Sequence, residues 1–164
     1  PQAADLPEEE ALALLALRYF SSHAPATFDD FVWWSGLPVG QARRGVGALG
    51  GTLLRESFGG REYLLHERHA ACSTAPAHVH LLPAFDEYLI AYKDRSEVLA
   101  QEHRARAFNS FGIFRSVLLH GGRIVGRWSR KGSQVGVEPF AGERQPSARL
   151  LRSAEGRWKL FREG

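Results

Sequence analysis

The segment TLLRESFGGREYLLH, at residues 52–66, has the clearest structural pattern in the chain. Its two halves are rich in residues that favour strands, and the pair Gly59-Gly60 separates them. Glycine adopts the positive φ angles that a tight hairpin turn requires. We therefore predict an antiparallel β-hairpin with its turn at these two glycines.

Three helices are predicted before this hairpin. The first, over residues 7–22, has apolar residues at helical spacing behind three consecutive glutamates, which favour the positive end of a helix dipole. The second begins after Thr27, because Thr27 and Asp30 have the spacing of a capping box. The third begins at Pro38. Three helices followed by a two-stranded ribbon is the order of elements in a winged helix-turn-helix.

The third helix is the candidate recognition helix. Its apolar residues predict a buried face, which comprises Val39, Ala42, Val46 and Leu49. The opposite face presents Gln41 and Arg44, with Arg43 alongside. Glutamine and arginine bond base edges through two hydrogen bonds or hold phosphates. A merely solvated helix face carries the same residue types, so that alternative stays open.

The remainder of the chain predicts a second, β-rich region. Residues 67–80 are rich in Ala, His, Ser, Thr and Pro and connect a winged-helix domain at 1–66 to a second domain at 81–164. Turn residues separate three strand-like runs over 113–140, which predicts a meander. Residues 146–162 have apolar residues at near-helical spacing. The predicted fold class is therefore α+β.

Charge is distributed unevenly along the 164 residues. Residues 1–100 carry 8 Lys and Arg against 13 Asp and Glu, whereas residues 101–164 carry 13 against 5. Positive charge concentrated in one half is typical of proteins that bind polyanions, and nucleic acid is the usual partner. The alternative is a solvated surface in an arginine-rich protein, since the chain has 18 arginines and 3 lysines.

The composition excludes several protein classes. Hydrophobic residues make up 44% of the chain and charged residues 24%, as in a folded globular protein. No apolar run approaches the roughly 18 residues that a membrane span needs, and no basic stretch opens the chain as in a secretory signal. The single cysteine, Cys72, excludes a disulfide framework and fits a cytoplasmic protein. Methionine is absent, so we expect a piece of a longer product.

Neither a metal nor a cofactor is expected. Metal-capable side chains do occur close together in the sequence, namely His66, His69, Cys72, His78 and His80. Their spacing does not match a zinc-binding pattern, and there is no Cys-x-x-Cys pair. The sequence also has no phosphate-binding loop and no dinucleotide-binding glycine motif after a strand.

An acidic pair, Asp86-Glu87, interrupts an apolar stretch. We expect at least one of the two carboxylates to be partly buried and ion-paired, with Lys93 or Arg95 as the partner.

Two adjacent tryptophans, Trp33 and Trp34, cannot both face one core at helical spacing. One is therefore a core residue, and the other either packs on the second domain or is exposed for stacking on bases.

Three segments of the chain, in this order, resemble a known family. They are RYFSSHAPATFDDFVWWSGLPVGQARRGV at 18–46, LLPAFDEYLIAYKDRS at 81–96 and GIFRSVLLHGGRIVGRWSR at 112–130. The chain resembles the bacterial winged-helix DNA-binding proteins of the AlkZ/YcaQ type, which include DNA glycosylases that unhook interstrand crosslinks. The resemblance covers about residues 10–140, and FDEYL followed by YKDRS is its most specific part.

The resemblance implies tandem winged helices followed by a small antiparallel β-barrel-like domain, around a concave basic face that binds duplex DNA. On that plan residues 8–66 are the last winged helix, and the barrel-like domain begins near residue 80. The family's catalytic motif, Gln-x-Gln or Gln-x-Asp, precedes this region and has no match in the chain, whose five glutamines are isolated. No catalytic residue is carried over. We expect this piece to be inactive alone and the full-length protein to be a DNA glycosylase.

Nine residues are predicted to bind DNA: Gln41, Arg43, Arg44, Arg61, Lys93, Arg95, Arg127, Arg130 and Lys131. Two other functions stay open, a non-enzymatic winged-helix transcriptional regulator and a protein-interaction module without DNA binding. The excess of acidic residues over residues 1–100 favours the interaction module, because a segment that holds phosphates is expected to be basic.

Overall fold

The computed structural model describes residues 6–69, 78–132 and 134–163, and it has the helices and antiparallel sheets of an α+β protein. The helices are α1 (Glu8–Ser22), α2 (Phe28–Ser35), α3 (Val39–Gly47), α4 (Glu87–Ile90), α5 (Arg104–Ala107) and α6 (Ala148–Glu163). The strands are β1 (Leu53–Phe58), β2 (Arg61–His66), β3 (Val79–Leu82), β4 (Val117–His120), β5 (Arg123–Lys131) and β6 (Gln134–Pro139). The chain divides into two compact units, Pro1–Ser73 with Ala91–Lys93 and Thr74–Ile90 with Asp94–Gly164.

Local sequence patterns determine where the helices of the first unit begin and end. The first turn of α1 follows Pro7 and contains three glutamates, which suit a helix N-terminus. The predicted capping box begins α2: Thr27 Oγ1 accepts the backbone N–H of Asp30, and the Asp30 carboxylate accepts the backbone N–H of Thr27. Gly36, with φ of +66°, ends α2 in the left-handed conformation that glycine favours.

A glycine allows α1 and α3 to pack closely. Gly45 is buried, and a Cβ atom at this position would lie 2.6 Å from the carbonyl oxygen of Leu12. The residue that weakens α3 as an isolated helix therefore permits its contact with α1. The buried face of α3 consists of Ala42 and Gly45, with Val46 half-buried. Val39 is 52% exposed, so its prediction as a core residue is wrong.

The predicted hairpin is formed by β1 and β2, which pair antiparallel over their whole length. Gly59 and Gly60 make the turn, with φ values of +56° and +77°. The segment before α2 joins this ribbon, since Ala26 and Leu64 exchange two backbone hydrogen bonds of 2.8 and 3.1 Å. The core beneath the helices and the ribbon comprises Ala16, Tyr19, Phe20, Ala26, Phe31, Ala42, Leu53 and Leu64.

The second unit contains a four-stranded antiparallel sheet with the strand order β3-β4-β5-β6. The three-stranded meander predicted over 113–140 is confirmed by β4, β5 and β6. Strand β3 was not predicted. In the described residues the outer strands β3 and β6 do not pair with each other, so the sheet is open and does not close into the expected barrel.

Strand β4 is buried on both of its faces. Val117 and Leu119 belong to one hydrophobic cluster, whereas Leu118 belongs to another that includes Val125 and Ala154 of α6. A strand covered on both sides needs a continuous apolar run, and β4 has one in VLL. The predicted C-terminal helix is confirmed as α6, and none of the described helices is long and apolar enough to cross a membrane.

Candidate nucleic-acid interface

The polar side of α3 is held by carboxylates of the same unit. Arg43 and Arg44 are exposed, and Gln41 is half-buried. The Arg44 guanidinium contacts Glu8, and its Nε lies 3.0 Å from Glu9 Oε1. Gln41 Nε2 donates a hydrogen bond to Glu8 Oε1 at 3.2 Å. Two of the side chains predicted to bind DNA are therefore engaged by the first turn of α1.

Arg43 and Arg61 each lie next to a phenylalanine. The guanidinium carbon of Arg43 lies 5.4 Å from the centroid of the Phe28 ring. This cation–π contact orders the side chain without using its hydrogen-bond donors. Arg61 is paired with Phe58 across the hairpin, directly beside the glycine turn, and both residues are exposed. The hairpin tip therefore presents a cation and an aromatic ring.

Lys93 is held against α2 by two neighbouring aspartates. Its backbone N–H donates to Asp30 Oδ1 at 2.8 Å, and its ammonium group lies 3.0 Å from Asp29 Oδ2. Asp30 is 4% exposed and Asp29 lies on the surface. Asp30 thus serves both the capping box at Thr27 and the segment Ala91–Lys93, whereas Asp29 neutralises the charge of Lys93.

Arg95 is a core residue. It is 9% exposed, its Nε donates to the carbonyl oxygen of Leu89, and its guanidinium carbon lies 5.2 Å from the ring centroids of Phe108 and Phe114. A guanidinium group tolerates burial here because a carbonyl and two aromatic faces replace part of its hydration. Arg95 is therefore part of the core of the second unit and is not a candidate DNA contact.

The last three predicted contacts lie on β5. Arg130 and Lys131 are exposed, and the guanidinium carbon of Arg130 lies 5.6 Å from the ring centroid of Trp158. Arg127 is half-buried and faces Glu138 on β6, with 3.8 Å between Nη1 and Oε2. The second unit therefore presents these cations on one strand.

Sequence reasoning missed Arg106 and Arg115, whose charges act with that of Arg127 on Glu138. Arg106 Nη2 is 2.5 Å from Glu138 Oε1. This hydrogen bond, together with the charges of Arg106, Arg127 and Arg115, holds the pKa of the Glu138 carboxyl below its ordinary value. The only indication in the sequence was the general excess of cations after residue 100.

Asp86 is partly buried, as predicted, and it caps a helix, whereas the predicted pairing of Asp86 or Glu87 with Lys93 or Arg95 stays a prediction. Its Oδ1 accepts the backbone N–H of Tyr88 at 2.9 Å, at the beginning of α4.

Of the two adjacent tryptophans, Trp34 packs against the core, with its ring centroid 5.0 Å from that of Tyr19. Trp33 is 54% exposed, so one tryptophan of the pair is a core residue, as predicted.

The histidine-rich segment is only partly described. The rings of His78 and His80 are 6.3 Å apart, and burial, Arg157 and His78 lower the pKa of His80. Within the described ranges, no three His, Cys, Asp or Glu side chains are grouped in a way that could hold a metal ion. Cys72 lies outside the described residues.

Comparison with known proteins gives consistent matches. A family model for AlkZ-like DNA glycosylases matches residues 1–159. The chain is 32% identical over 143 residues to an interstrand DNA cross-link repair glycosylase of Streptomyces sahachiroi, covering 82% of this chain and 38% of that protein. The solved structure of Streptomyces sahachiroi DNA glycosylase AlkZ is similar with a TM-score of 0.79 and 25% identity, covering 90% of this chain and 44% of that chain. The chain spans less than half the length of either relative.

Proposed function

Because the chain belongs to the AlkZ-like DNA glycosylase family, we propose that it binds duplex DNA as the DNA-holding part of a bacterial DNA-repair glycosylase. The family match over residues 1–159, which includes both units, is the observation that supports this function most strongly. In this proposal the first unit is a winged helix-turn-helix, with α3 as the recognition helix and the β1–β2 hairpin as the wing.

The proposed contacts on the first unit are phosphate contacts. Arg43 and Arg44 on α3 and Arg61 at the hairpin tip are exposed cations. A repair protein must act at many sequences, and phosphate contacts position a protein on DNA without reading its sequence. For Arg44, binding exchanges Glu8 and Glu9 for a phosphate group.

Base removal is proposed for the whole protein and not for this chain. The reaction is hydrolysis of an N-glycosidic bond after the base has been exposed by distortion or extrusion. The chain contains no Gln-x-Gln motif, and we expect it to release no base from alkylated or crosslinked duplex. Release above a buffer control that persists through repurification would show that the chain is itself catalytic.

The DNA-binding proposal is tested by titrating a fluorescent duplex with the protein at several salt concentrations. Arg43→Ala, Arg44→Ala and Arg61→Ala should each lower the salt slope of binding by about 0.9, because one counterion contact is lost. A base-reading arginine would instead cost about 1–3 kcal/mol and relax sequence preference. Arg18→Ala, on the exposed side of α1, is the matched control and should leave the slope unchanged.

A protein-interaction module is the second candidate function. The observation in its favour is that Glu8 engages both Gln41 and Arg44, so that α3 offers a partly neutralised face. Unchanged affinity and slope in all three arginine variants would favour this candidate over DNA binding.

A further inference from the structure

We infer that an arginine cluster of the second unit binds a backbone phosphate of duplex DNA, and that a glutamate of the same unit occupies this site in the free protein. The arginine cluster comprises Arg106, Arg115 and Arg127, and the glutamate is Glu138. The inference rests on the proposed DNA binding and adds to it a specific phosphate site and an internal competitor for that site.

Three different elements bring the arginine cluster together. Arg106 lies on α5, and Arg127 lies on β5. The backbone N–H of Arg115 donates to the carbonyl oxygen of Ala107 at 2.9 Å, which fixes Arg115 beside the end of α5. Val117 pairs with Arg127 in the sheet. Arg115 lies two residues before Val117, in the segment that leads into β4.

The carboxylate of Glu138 faces the cluster. Glu138 is directly opposite Arg127 in the pairing of β5 with β6. Its Oε1 lies 2.5 Å from Arg106 Nη2, and its Oε2 lies 3.8 Å from Arg127 Nη1. The charge of Arg115 also acts on Glu138, since it contributes to the lowered pKa of that carboxyl. Two guanidinium groups therefore lie against this carboxylate, and the charge of a third acts on it.

The cluster also has unused hydrogen-bonding capacity. Among the described residues, Arg127 Nε is buried without a hydrogen-bond partner, and such a group is costly to leave unpaired. A cavity of about 220 Å³ lies at this place, and its lining residues are Arg127, Trp128, Ser129, Gly136, Val137 and Glu138.

A phosphodiester matches the group that it would displace. Like a carboxylate, it has one negative charge and two free oxygens, and arginine binds both groups through paired N–H donors. The Glu138 side chain is 58% exposed, so its release into water costs little. Arg106 has a second contact besides Glu138, since its guanidinium carbon lies 4.5 Å from the centroid of the buried Phe140 ring.

Glu138→Gln removes the competing charge and keeps the shape of the side chain. At low salt we expect this variant to bind a short duplex about fivefold more tightly than the parent, which is the effect of one unit charge at contact distance in water. The gain should shrink as salt is raised. Glu143→Gln is the matched control, because Glu143 is ion-paired with one arginine, Arg123, at 3.4 Å in the same unit. Equal affinities of the two variants would overturn the inference.

Arg115→Ala tests the site without disturbing the contacts of Glu138 with Arg106 and Arg127. We expect weaker duplex binding and a salt slope lower by about 0.9. Circular dichroism checks the folding of each variant, and Arg115→Ala decides the question if Glu138→Gln does not fold. An unchanged slope in Arg115→Ala would refute the phosphate site.

Inorganic phosphate distinguishes a free anion from the DNA backbone. We expect it to raise the Tm of Glu138→Gln and not that of the double variant with Arg115→Ala. A phosphate effect without any change in duplex binding would assign the cluster to free anions and overturn the inference. Absence of duplex binding in the parent protein would refute the proposed function itself, whereas duplex binding that neither variant changes would refute the inference alone.

Discussion

The two units of the chain neutralise their surface cations differently. In the first unit Arg44 contacts two glutamates, and Lys93 is paired with Asp29. In the second unit Arg106 and Arg127 lie against one carboxylate, that of Glu138, and the charge of Arg115 also acts on it. The sequence has the same asymmetry, with 13 acidic against 8 basic residues up to residue 100 and 5 against 13 beyond it.

The elements arranged as in a DNA-binding motif and the excess of positive charge therefore lie in different units. The first unit has the order of helices and strands that suits a recognition helix, but its carboxylates already engage two of the polar groups on α3. The second unit has the excess of positive charge. We therefore expect the first unit to position the duplex and the second unit to supply more of the salt-dependent affinity.

Loss of the Asp30 carboxylate should destabilise the protein most, and it tests whether carboxylates of the first unit are structural. Asp30 is buried and accepts hydrogen bonds from the backbone N–H groups of Thr27 and Lys93. Asp30→Ala removes a helix cap and leaves these donors unpaired, so it should lower the free energy of unfolding by about 3 kcal/mol in chemical denaturation. Asp29→Ala, its exposed neighbour, should lower it by less than about 1 kcal/mol. Equal losses would mean that burial does not distinguish the two aspartates.

The next effect tests the docking of α3 on α1. Gly45→Ala places a methyl group against the Leu12 backbone and should cost about 1–3 kcal/mol, because neither helix can yield without separating. Gly47 lies on the same helix, where an added Cβ atom would have nothing within 4 Å, and Gly47→Ala should stabilise the protein by up to about 1 kcal/mol. Thermal unfolding of the two variants compares them directly. A neutral Gly45→Ala would contradict the close approach.

Local patterns predicted most of the fold. The capping box at Thr27, the glycine turn of the hairpin and the turn residues of the meander are short-range patterns, and each was recognised from neighbouring residues. Strand β3 was missed because its four residues become a strand through pairing with β4, whose sequence is distant. Val39 was misplaced because α3 docks through Gly45, and a glycine contributes no apolar side chain to the pattern.

The candidate site was less predictable than the fold. The charges of residues 101–164 indicated a basic region, but the gathering of Arg106, Arg115 and Arg127 around Glu138 depends on strand register and on a helix end. Arg95, in contrast, was predicted to bind DNA and is buried in the structure. It resembles a surface cation in sequence, and only the fold reveals the aromatic rings that cover it.

A smaller effect tests whether Glu8 weakens DNA binding through α3. Glu8→Gln frees Arg44 from one of its two carboxylates, and we expect duplex affinity to rise about twofold, matching the few tenths of a kcal/mol of an exposed ion pair. Glu10→Gln makes the same charge change in the same turn and should have less effect. Both are measured by fluorescence titration. A gain larger than that of Glu138→Gln would reverse the proposed division between the units.

The smallest effect concerns pH and lies in the second unit. Burial, then Arg157 and His78, lower the pKa of His80, so the folded protein favours the neutral ring. As the pH falls below about 6.5, the ordinary pKa of histidine, His80 becomes protonated in the unfolded chain before it does so in the folded protein. The stabilisation by neutral His80 is therefore lost as the pH falls through the lowered pKa of the folded state. His80→Gln should flatten the Tm profile in this range. An identical profile would show that His80 does not contribute.

Titration with a short duplex, followed by the backbone-amide NMR signals of the protein, shows whether cations of both units bind the DNA backbone. We predict shifts at low salt in α3, at the hairpin turn and around the arginine cluster, all of which disappear at high salt because the contacts are phosphate contacts. Absence of shifts at low salt, or shifts that persist unchanged at high salt, would contradict phosphate binding by the two units.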